Sequence, residues 1–159
     1  MVRYETEHEE IVRPEWIDAN GHMNLAYFVV IFDHATDVLF DALGIGDEYR
    51  RATGKALFVV ETHTLYEHEV GDGERLRVGT SLIGGDAKRL HFFHEMFHAE
   101  TGLRAAAQEL LSLHVDLATR RTAPFPPDRQ AAITARLRPG AALPQGAGRR
   151  ISMPGGAQP

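Results

Sequence analysis

The sequence predicts an α+β fold in which a curved antiparallel β-sheet wraps around one long central helix. Residues 25–43 carry apolar side chains at spacings of three and four residues, which is the period of an amphipathic helix. The segments between residues 57 and 117 are strand-like and are separated by short glycine-containing turns, as is typical of antiparallel strands. Such a sheet needs one face covered, and only the helix is long and apolar enough to cover it.

The elements follow in order along the chain. Residues 9–12 predict a short first strand, which Pro14 limits because proline cannot donate to a sheet ladder. Asn24 is a candidate N-cap of the long helix, and Gly44 is a natural stop. Further strands are predicted at residues 57–66, 75–83, 90–99 and 104–117, the last with an ambiguous alanine run before Leu110. Short turns between them predict an antiparallel meander.

The C-terminal region is predicted to lie outside the sheet. The Pro-Phe-Pro-Pro run at residues 124–127 closes the sheet, and a short terminal helix is predicted at residues 129–138. Glycine, proline, alanine and glutamine dominate from residue 139 onward, a composition typical of flexible chain. We therefore expect one domain over residues 1–128, then the terminal helix, then a flexible tail over residues 139–159.

The composition excludes several classes of function. The 159 residues carry a formal net charge of -5, so no broad basic face is available for nucleic acid. The absence of cysteine excludes disulfides, thiolate metal sites and cysteine nucleophiles. The charged N-terminal residues lack the apolar core of a signal peptide, and the apolar runs are too short to span a membrane. We expect a cytoplasmic protein without nucleic-acid or membrane partners.

A polar run, Trp-Ile-Asp-Ala-Asn-Gly-His-Met-Asn, occupies residues 16–24 immediately before the helix. It brings a carboxylate, two amides and an imidazole close to a helix N-terminus, where developing negative charge is stabilised. Turn formation and helix capping are the alternative explanation of Asp18, Asn20 and Asn24.

A strand, a long helix and four further strands form the layout of the hotdog fold, whose edge strand commonly pairs with a second protomer. On this layout, residues 16–24 and Tyr27 resemble the hotdog acyl-CoA thioesterases of the 4-hydroxybenzoyl-CoA type. More narrowly, they resemble the betainyl-CoA thioesterase branch associated with carnitine breakdown, although the broader family usually has a second asparagine where Leu25 stands. The same branch is similar at residues 60–63, 86–91, 113–117 and 123–127.

The resemblance implies hydrolysis of a short acyl-CoA thioester, such as betainyl-CoA, without a metal ion or other cofactor. It also implies a homodimer or a dimer of dimers with sites between protomers, and Asp18 as the catalytic carboxylate. Asp18 would activate water or attack the carbonyl carbon directly. Backbone N–H groups near residues 24–27 would form the oxyanion hole, because a helix N-terminus stabilises the developing negative charge.

The other residues of the polar run receive supporting roles in this hypothesis. Asn24 would donate its side-chain amide to the oxyanion or orient water, and His22 would orient Asp18 or contact the substrate. Gly21 would let the backbone pass close to the thioester, where a Cβ atom would obstruct it. The remaining substrate-binding candidates of this region are Asn20, Met23 and Tyr27.

Two further pairs are candidate substrate ligands. Glu61 and His63 are two residues apart on a predicted strand and therefore share a face, which is either solvent-exposed or turned toward a neighbouring protomer. Lys88 and Arg89 form a basic pair in an acidic chain, and they are either an ordinary charged turn or a contact for the phosphates of CoA.

The remaining charged residues have weaker claims to function. His94 and His98 are too far apart along a strand for easy chelation of one ion, so no metal site is predicted and a structural role is favoured. Asp33, Asp37 and Asp41 form an acidic stripe that is either the solvated helix face or a recognition surface for a trimethylammonium group.

Two other functions remain open at this level. A hotdog enoyl-CoA hydratase has a signature that resembles Asp-x-Asn-x-x-His, but here His22 arrives one residue early. A non-catalytic acyl-CoA-binding module would bind the substrate without turnover, and replacement of Asp18 by Asn would leave it unchanged.

Overall fold

The computed structural model describes residues 4–138 and 140–152, which contain six strands and three helices. The strands are β1 (Thr6–Ile11), β2 (Lys55–Tyr66), β3 (Arg75–Gly85), β4 (Arg89–His98), β5 (Arg104–Asp116) and β6 (Arg121–Thr122). The helices are α1 (Leu25–Ala42), α2 (Asp47–Thr53) and α3 (Pro127–Thr134), and a 3-10 turn at Pro14–Trp16 precedes the polar run.

The strands form one antiparallel sheet in the order β1-β3-β4-β5-β2, with the short β6 added to β5. The predicted hotdog fold is confirmed, but the predicted simple meander is wrong. Only β3, β4 and β5 are consecutive neighbours, whereas β2 pairs with β5 at the far edge of the sheet. Residues 67–74 connect β2 to β3. This connection is long enough to cross the sheet, whereas a tight hairpin turn would be too short.

Helix α1 lies against the sheet through one apolar side. Its N-terminal half contributes Phe28, Ile31 and Phe32 to a core cluster that includes strand residues Leu76, Val78 and Met96, and its C-terminal half contributes Leu39 to a second cluster with Phe92 and Leu110. Aromatic and β-branched residues are mediocre helix formers, so burial rather than intrinsic propensity stabilises this helix.

Several predicted boundaries shift in the structure. β1 begins at Thr6 rather than residue 9, and the alanine run at residues 105–107 is buried strand because it lies inside β5 between two paired neighbours. Helix α2 was not predicted. Its sequence nevertheless carries a helix signal, since Asp47 and Glu48 stand in the first turn and Arg50 and Arg51 in the last, where each complements the helix dipole.

The C-terminal region partly contacts the sheet. The terminal helix is observed at Pro127–Thr134, slightly earlier than predicted. Within residues 140–152 there is no helix or strand, yet the Gly148 N–H donates to Glu109 and the Gln145 carbonyl accepts from Arg104. The flexibility of the tail stays a prediction. None of the helices in the described ranges is long and apolar enough to cross a membrane.

Candidate active site

The polar run folds into a tight loop that leads directly into α1. A bridge between Ile17 and Met23 closes it, the Asp18 N–H donates to the His22 carbonyl, and the Gly21 N–H donates to the Asp18 carbonyl. Gly21 has a φ of +87°, in the left-handed region that favours glycine, and a Cβ atom there would meet nothing within 4 Å. In this protomer the glycine is therefore explained by backbone conformation rather than by a close approach.

Two neighbours position the carboxylate of Asp18. Its Oδ1 accepts the backbone N–H of Asn20 at 2.8 Å, and its Oδ2 lies 3.4 Å from the side-chain Nδ2 of Asn24. Asn24 is also the N-cap of α1, because its Oδ1 accepts the Ala26 N–H at 3.0 Å. The capping alternative and the functional hypothesis are thus compatible, because the same amide side chain caps the helix through its oxygen and contacts Asp18 through its nitrogen.

The amides that were predicted to form the oxyanion hole are mostly occupied. The N–H of Asn24 donates to Trp16, that of Ala26 to the Asn24 side chain, and that of Tyr27 to the Asn24 carbonyl. In the part of the chain that the structure describes, the Leu25 N–H is the one of this stretch with no acceptor. The prediction of an oxyanion hole at residues 24–27 is therefore restricted to two groups, the Leu25 backbone N–H and the Asn24 side-chain amide. Among the described residues of this stretch, these two groups have an N–H without an acceptor.

An open cavity of about 440 Å³ lies beside this loop. One wall comes from the loop and the start of α1, and the other from residues that sequence reasoning missed, at the end of β2 and just beyond it. The sequence does contain a signal for this second wall, because polar residues directly follow the strand predicted at residues 57–66. The lining residues are Asp18, His22, Met23, Asn24, Leu25, Phe28, Tyr66, Glu67, His68 and Glu69.

The His22 imidazole contacts this second wall rather than the carboxylate of Asp18. Its Nε2 lies 3.1 Å from Glu69 Oε2, and among the described residues no hydrogen bond joins the His22 imidazole to the Asp18 carboxylate. The predicted role of orienting Asp18 is therefore taken by Asn20 and Asn24, because those two groups contact the carboxylate. Contact of His22 with the substrate stays a prediction, supported by its place in the cavity lining.

The other candidates from this region occupy different positions. Met23 is buried and lines the cavity, whereas the Asn20 side chain is exposed and outside the lining. Tyr27 stacks on Trp16 with ring centroids 5.3 Å apart, so it supports the loop from the core side. Only the Asn20 backbone reaches the site, through its N–H bond to Asp18.

Glu61 and His63 do not join the Asp18 cavity in this protomer. They line a separate depression of about 400 Å³ with His91, Glu109 and Arg149. Their strand β2 is an edge of the sheet, so both side chains are available to a second protomer.

Lys88 and Arg89 lie at the β3–β4 hairpin, at the opposite end of the sheet from Asp18. Asp86 organises this turn by accepting both of their backbone N–H groups and the Arg89 Nε. Strand β3 begins at residue 75 near the polar run and ends at the hairpin. At 3.3 Å per residue, its two ends are about 30 Å apart. One protomer therefore does not bring the basic pair to its own Asp18.

The acidic stripe and the strand histidines are also accounted for structurally. Asp33, Asp37 and Asp41 are exposed on α1 and outside the Asp18 cavity, so the recognition surface predicted for them is absent from that cavity. Partial desolvation of the carboxyl group by its neighbours, followed by the charges of Asp33 and Asp41, raises the pKa of Asp37. His94 is fully buried between Thr36 and Thr80, and His98 contacts Glu74, which fits the predicted structural roles.

Comparison with known proteins defines the class. A family profile described as the Thioesterase-like superfamily matches residues 12–133. The betainyl-CoA thioesterase of Pseudomonas aeruginosa is 40% identical over 151 residues, which cover 94% of this chain and 95% of that protein. The Staphylococcus aureus protein SAV2348, solved in complex with CoA, superimposes with a TM-score of 0.85 at 28% identity and covers 93% of this chain and 94% of its own.

A second kind of relative carries the same domain within a longer chain. The L-carnitine dehydrogenase/betainyl-CoA thioesterase of Agrobacterium fabrum is 40% identical over 120 residues, which are 76% of this chain but 24% of that protein. The chain belongs to the Thioesterase-like superfamily and has its hotdog fold. It is an acyl-CoA thioesterase, and the hydratase alternative is not favoured.

Proposed function

We propose that this thioesterase hydrolyses betainyl-CoA, or a closely related short cationic acyl-CoA, with Asp18 as the catalytic carboxylate. The observation that carries the proposal is the Asp18 cavity, which combines a carboxylate at a helix N-terminus with an aromatic and acidic second wall. The relative named betainyl-CoA thioesterase, matched over nearly the full length of both chains, supports the choice of acyl group.

The two walls of the cavity together have the chemistry that a trimethylammonium group requires. Phe28 and Tyr66 meet edge to face with centroids 5.3 Å apart, and their rings border the cavity. Glu69 adds a carboxylate whose contact is His22. Aromatic faces and nearby negative charge together attract a quaternary ammonium ion. Glu67 also lines the cavity, but its two oxygens accept from Arg104, so its charge is largely compensated.

The reaction follows from the groups around Asp18. The carboxylate takes a proton from water as the water oxygen attacks the thioester carbon, or it attacks that carbon itself to form an anhydride that water then cleaves. Negative charge builds on the carbonyl oxygen, where the Leu25 N–H and a side-chain N–H of Asn24 can donate. Collapse of the tetrahedral intermediate expels CoA as its thiolate. It leaves the free acid when water is the nucleophile, and the anhydride, which water then cleaves to the free acid and Asp18, when the carboxylate attacks.

The same proposal includes a homodimer, alone or within a dimer of dimers. The edge strand β2 exposes Phe58, Val59 and Val60, with 40%, 42% and 52% of each residue accessible. Leu25 and Val29 at the start of α1 are also exposed, and Leu25 lines the cavity. Exposed apolar residues on an edge strand are suited to pairing with a second copy.

A dimer would also explain the distant candidates. Across an interface, Lys88 and Arg89 of one protomer can contact the phosphates of a CoA bound at the partner's cavity, and Glu61 and His63 can approach the partner's loop. Cytoplasmic location belongs to the proposal as well, and cell fractionation would test it.

The substrate is tested by CoA release from two matched thioesters. Betainyl-CoA is compared with 3,3-dimethylbutanoyl-CoA, in which a neutral quaternary carbon replaces the ammonium nitrogen. We expect kcat/KM to be at least about tenfold higher for the cationic substrate, corresponding to about 1.4 kcal/mol. Equal values for the two thioesters would reject the cationic acyl group while leaving thioester hydrolysis intact.

A further inference from the structure

A second cluster of polar side chains lies between the edge strand β1 and helix α1, outside the cavity of Asp18. His8 and Glu10 are alternate residues of β1 and therefore share one face of the strand. His34 approaches them from α1. Glu10 Oε2 lies 3.1 Å from His8 Nε2 and 2.7 Å from His34 Nδ1, and all three ligand atoms lie within 4.8 Å of one another.

The carboxylate at the centre of this cluster is held in place and sheltered. The Glu10 side chain is 11% exposed, while the histidines at 22% and 41% remain reachable from solvent. Arg13 lies 3.7 Å from Glu10 Oε1, which leaves Oε2 directed at the histidines. Groups that contact a carboxylate in this way fix the orientation of a metal ligand.

The geometry points to a zinc site formed by His8, Glu10 and His34. Two imidazole nitrogens and one carboxylate oxygen are a donor set that Zn²⁺ takes with a fourth position left to water. Bonds of about 2.0–2.1 Å place tetrahedral ligand atoms about 3.4 Å apart, so the present separations need only small side-chain movements. The ion would replace the protons that now lie between the histidines and the carboxylate.

The surroundings leave room for that fourth ligand. The cluster borders an open depression of about 920 Å³, whose lining includes all three residues and Val12. A bound ion would join β1, an edge strand that pairs with β3, to the helix that the sheet surrounds. The inference is independent of the proposed substrate, since none of the three residues lines the Asp18 cavity.

The first experiment measures metal binding on untagged protein that has been stripped with a chelator. Calorimetry with ZnCl₂ should give one ion per chain, and Co²⁺ should produce the visible absorption of a tetrahedral nitrogen and oxygen site. Because ligand binding to the native state stabilises it, saturating Zn²⁺ should also raise the Tm. Absence of stoichiometric binding would overturn the proposal.

Variants assign the ion to this cluster. His8→Ala, His34→Ala and Glu10→Gln should each raise the Kd for Zn²⁺ at least about tenfold. His91→Ala is the matched control, because His91 contacts Glu109 at 2.7 Å but belongs to no group of three close metal-ligating side chains among the described residues. His34→Ala, on the helix surface, keeps the test decisive if a β1 variant fails to fold. Equal weakening by His91→Ala, or unchanged binding in His34→Ala, would reject the site.

Discussion

The side-chain amide of Asn24 connects the carboxylate of Asp18 to the first turn of helix α1. Asn24 Oδ1 accepts the Ala26 N–H at 3.0 Å, while Asn24 Nδ2 lies 3.4 Å from Asp18 Oδ2. The residue that begins the helix therefore also sets the distance between the carboxylate and the helix N-terminus. We expect the capping and catalytic contributions of Asn24 to be separable, because they use different atoms of one side chain.

Asn24→Asp should separate them. Aspartate caps helices as well as asparagine does, so the helix cap itself should be kept. The variant loses the Nδ2 donor and places a second carboxylate beside Asp18, so we expect kcat to fall about 100-fold. Asn24→Ala provides the comparison, since it should lower both kcat and the unfolding free energy, the latter by about 1 kcal/mol. Thermal unfolding and CoA release on both variants check this, and full activity in Asn24→Asp would contradict it.

Selectivity for a cationic acyl group should depend on Glu69. Glu69→Gln removes the negative charge from the second wall of the cavity with little change in shape. We expect the kcat/KM ratio of betainyl-CoA to 3,3-dimethylbutanoyl-CoA to fall about fivefold, mainly through KM, because the lost attraction acts on the bound cation.

The control for Glu69→Gln is Asp72→Asn, which removes one exposed negative charge from the same crossover segment but outside the cavity. The kcat/KM ratio of the two thioesters should be the same in Asp72→Asn as in the wild type. A fall of similar size in both variants would indicate long-range electrostatics rather than contact with the acyl group.

The buried imidazole of His94 should make stability depend on pH. Burial lowers the pKa of His94 to about 3, from 6.5 in the unfolded chain. Between these values the unfolded state binds a proton that the native state does not, so stability falls as the pH falls below 6.5. The contribution of one such group is at most roughly 1.4 kcal/mol per pH unit. Urea unfolding between pH 7 and 5 measures it.

His94→Gln tests this assignment. The variant should have a shallower pH dependence of unfolding free energy than the wild type, even if its stability at pH 7 is lower. His63→Gln, at a partly exposed position on β2, is the control and should keep the wild-type slope. An unchanged pH dependence of the unfolding free energy in His94→Gln would show that His94 is not its source.

The edge strand β2 should carry the dimer contact. Val60→Lys places a charge among the exposed apolar residues of β2, so we expect dissociation in analytical ultracentrifugation together with reduced activity. Leu103→Lys changes a residue of similar exposure, 46% against 52%, in the turn before β5, and should leave the sedimentation profile unchanged. A fully active Val60→Lys monomer would rule out sites that need two protomers.

Local signals predicted the part of the site that is local in sequence. The helix period, the Asn24 cap and the polar run at residues 16–24 are contiguous, so periodicity and residue type were enough to predict the loop and α1. The second wall could not be predicted in this way. Tyr66 and Glu69 lie beside the loop because the segment after β2 crosses back toward β3 and bonds to the loop through the Val70 carbonyl and the Met23 N–H. This path depends on contacts distant in sequence. For the same reason, the sequence did not predict that His34 approaches His8 and Glu10.

The catalytic role of Asp18 is tested most directly by kcat for CoA release in Asp18→Asn. The substitution keeps the shape of the side chain and an acceptor for the Asn20 N–H, so the loop should remain folded, with circular dichroism and Tm close to the wild type. Without a carboxylate to accept the proton or attack the thioester, we expect kcat to fall at least about 100-fold. A folded Asp18→Asn enzyme that retains the wild-type kcat would contradict the account.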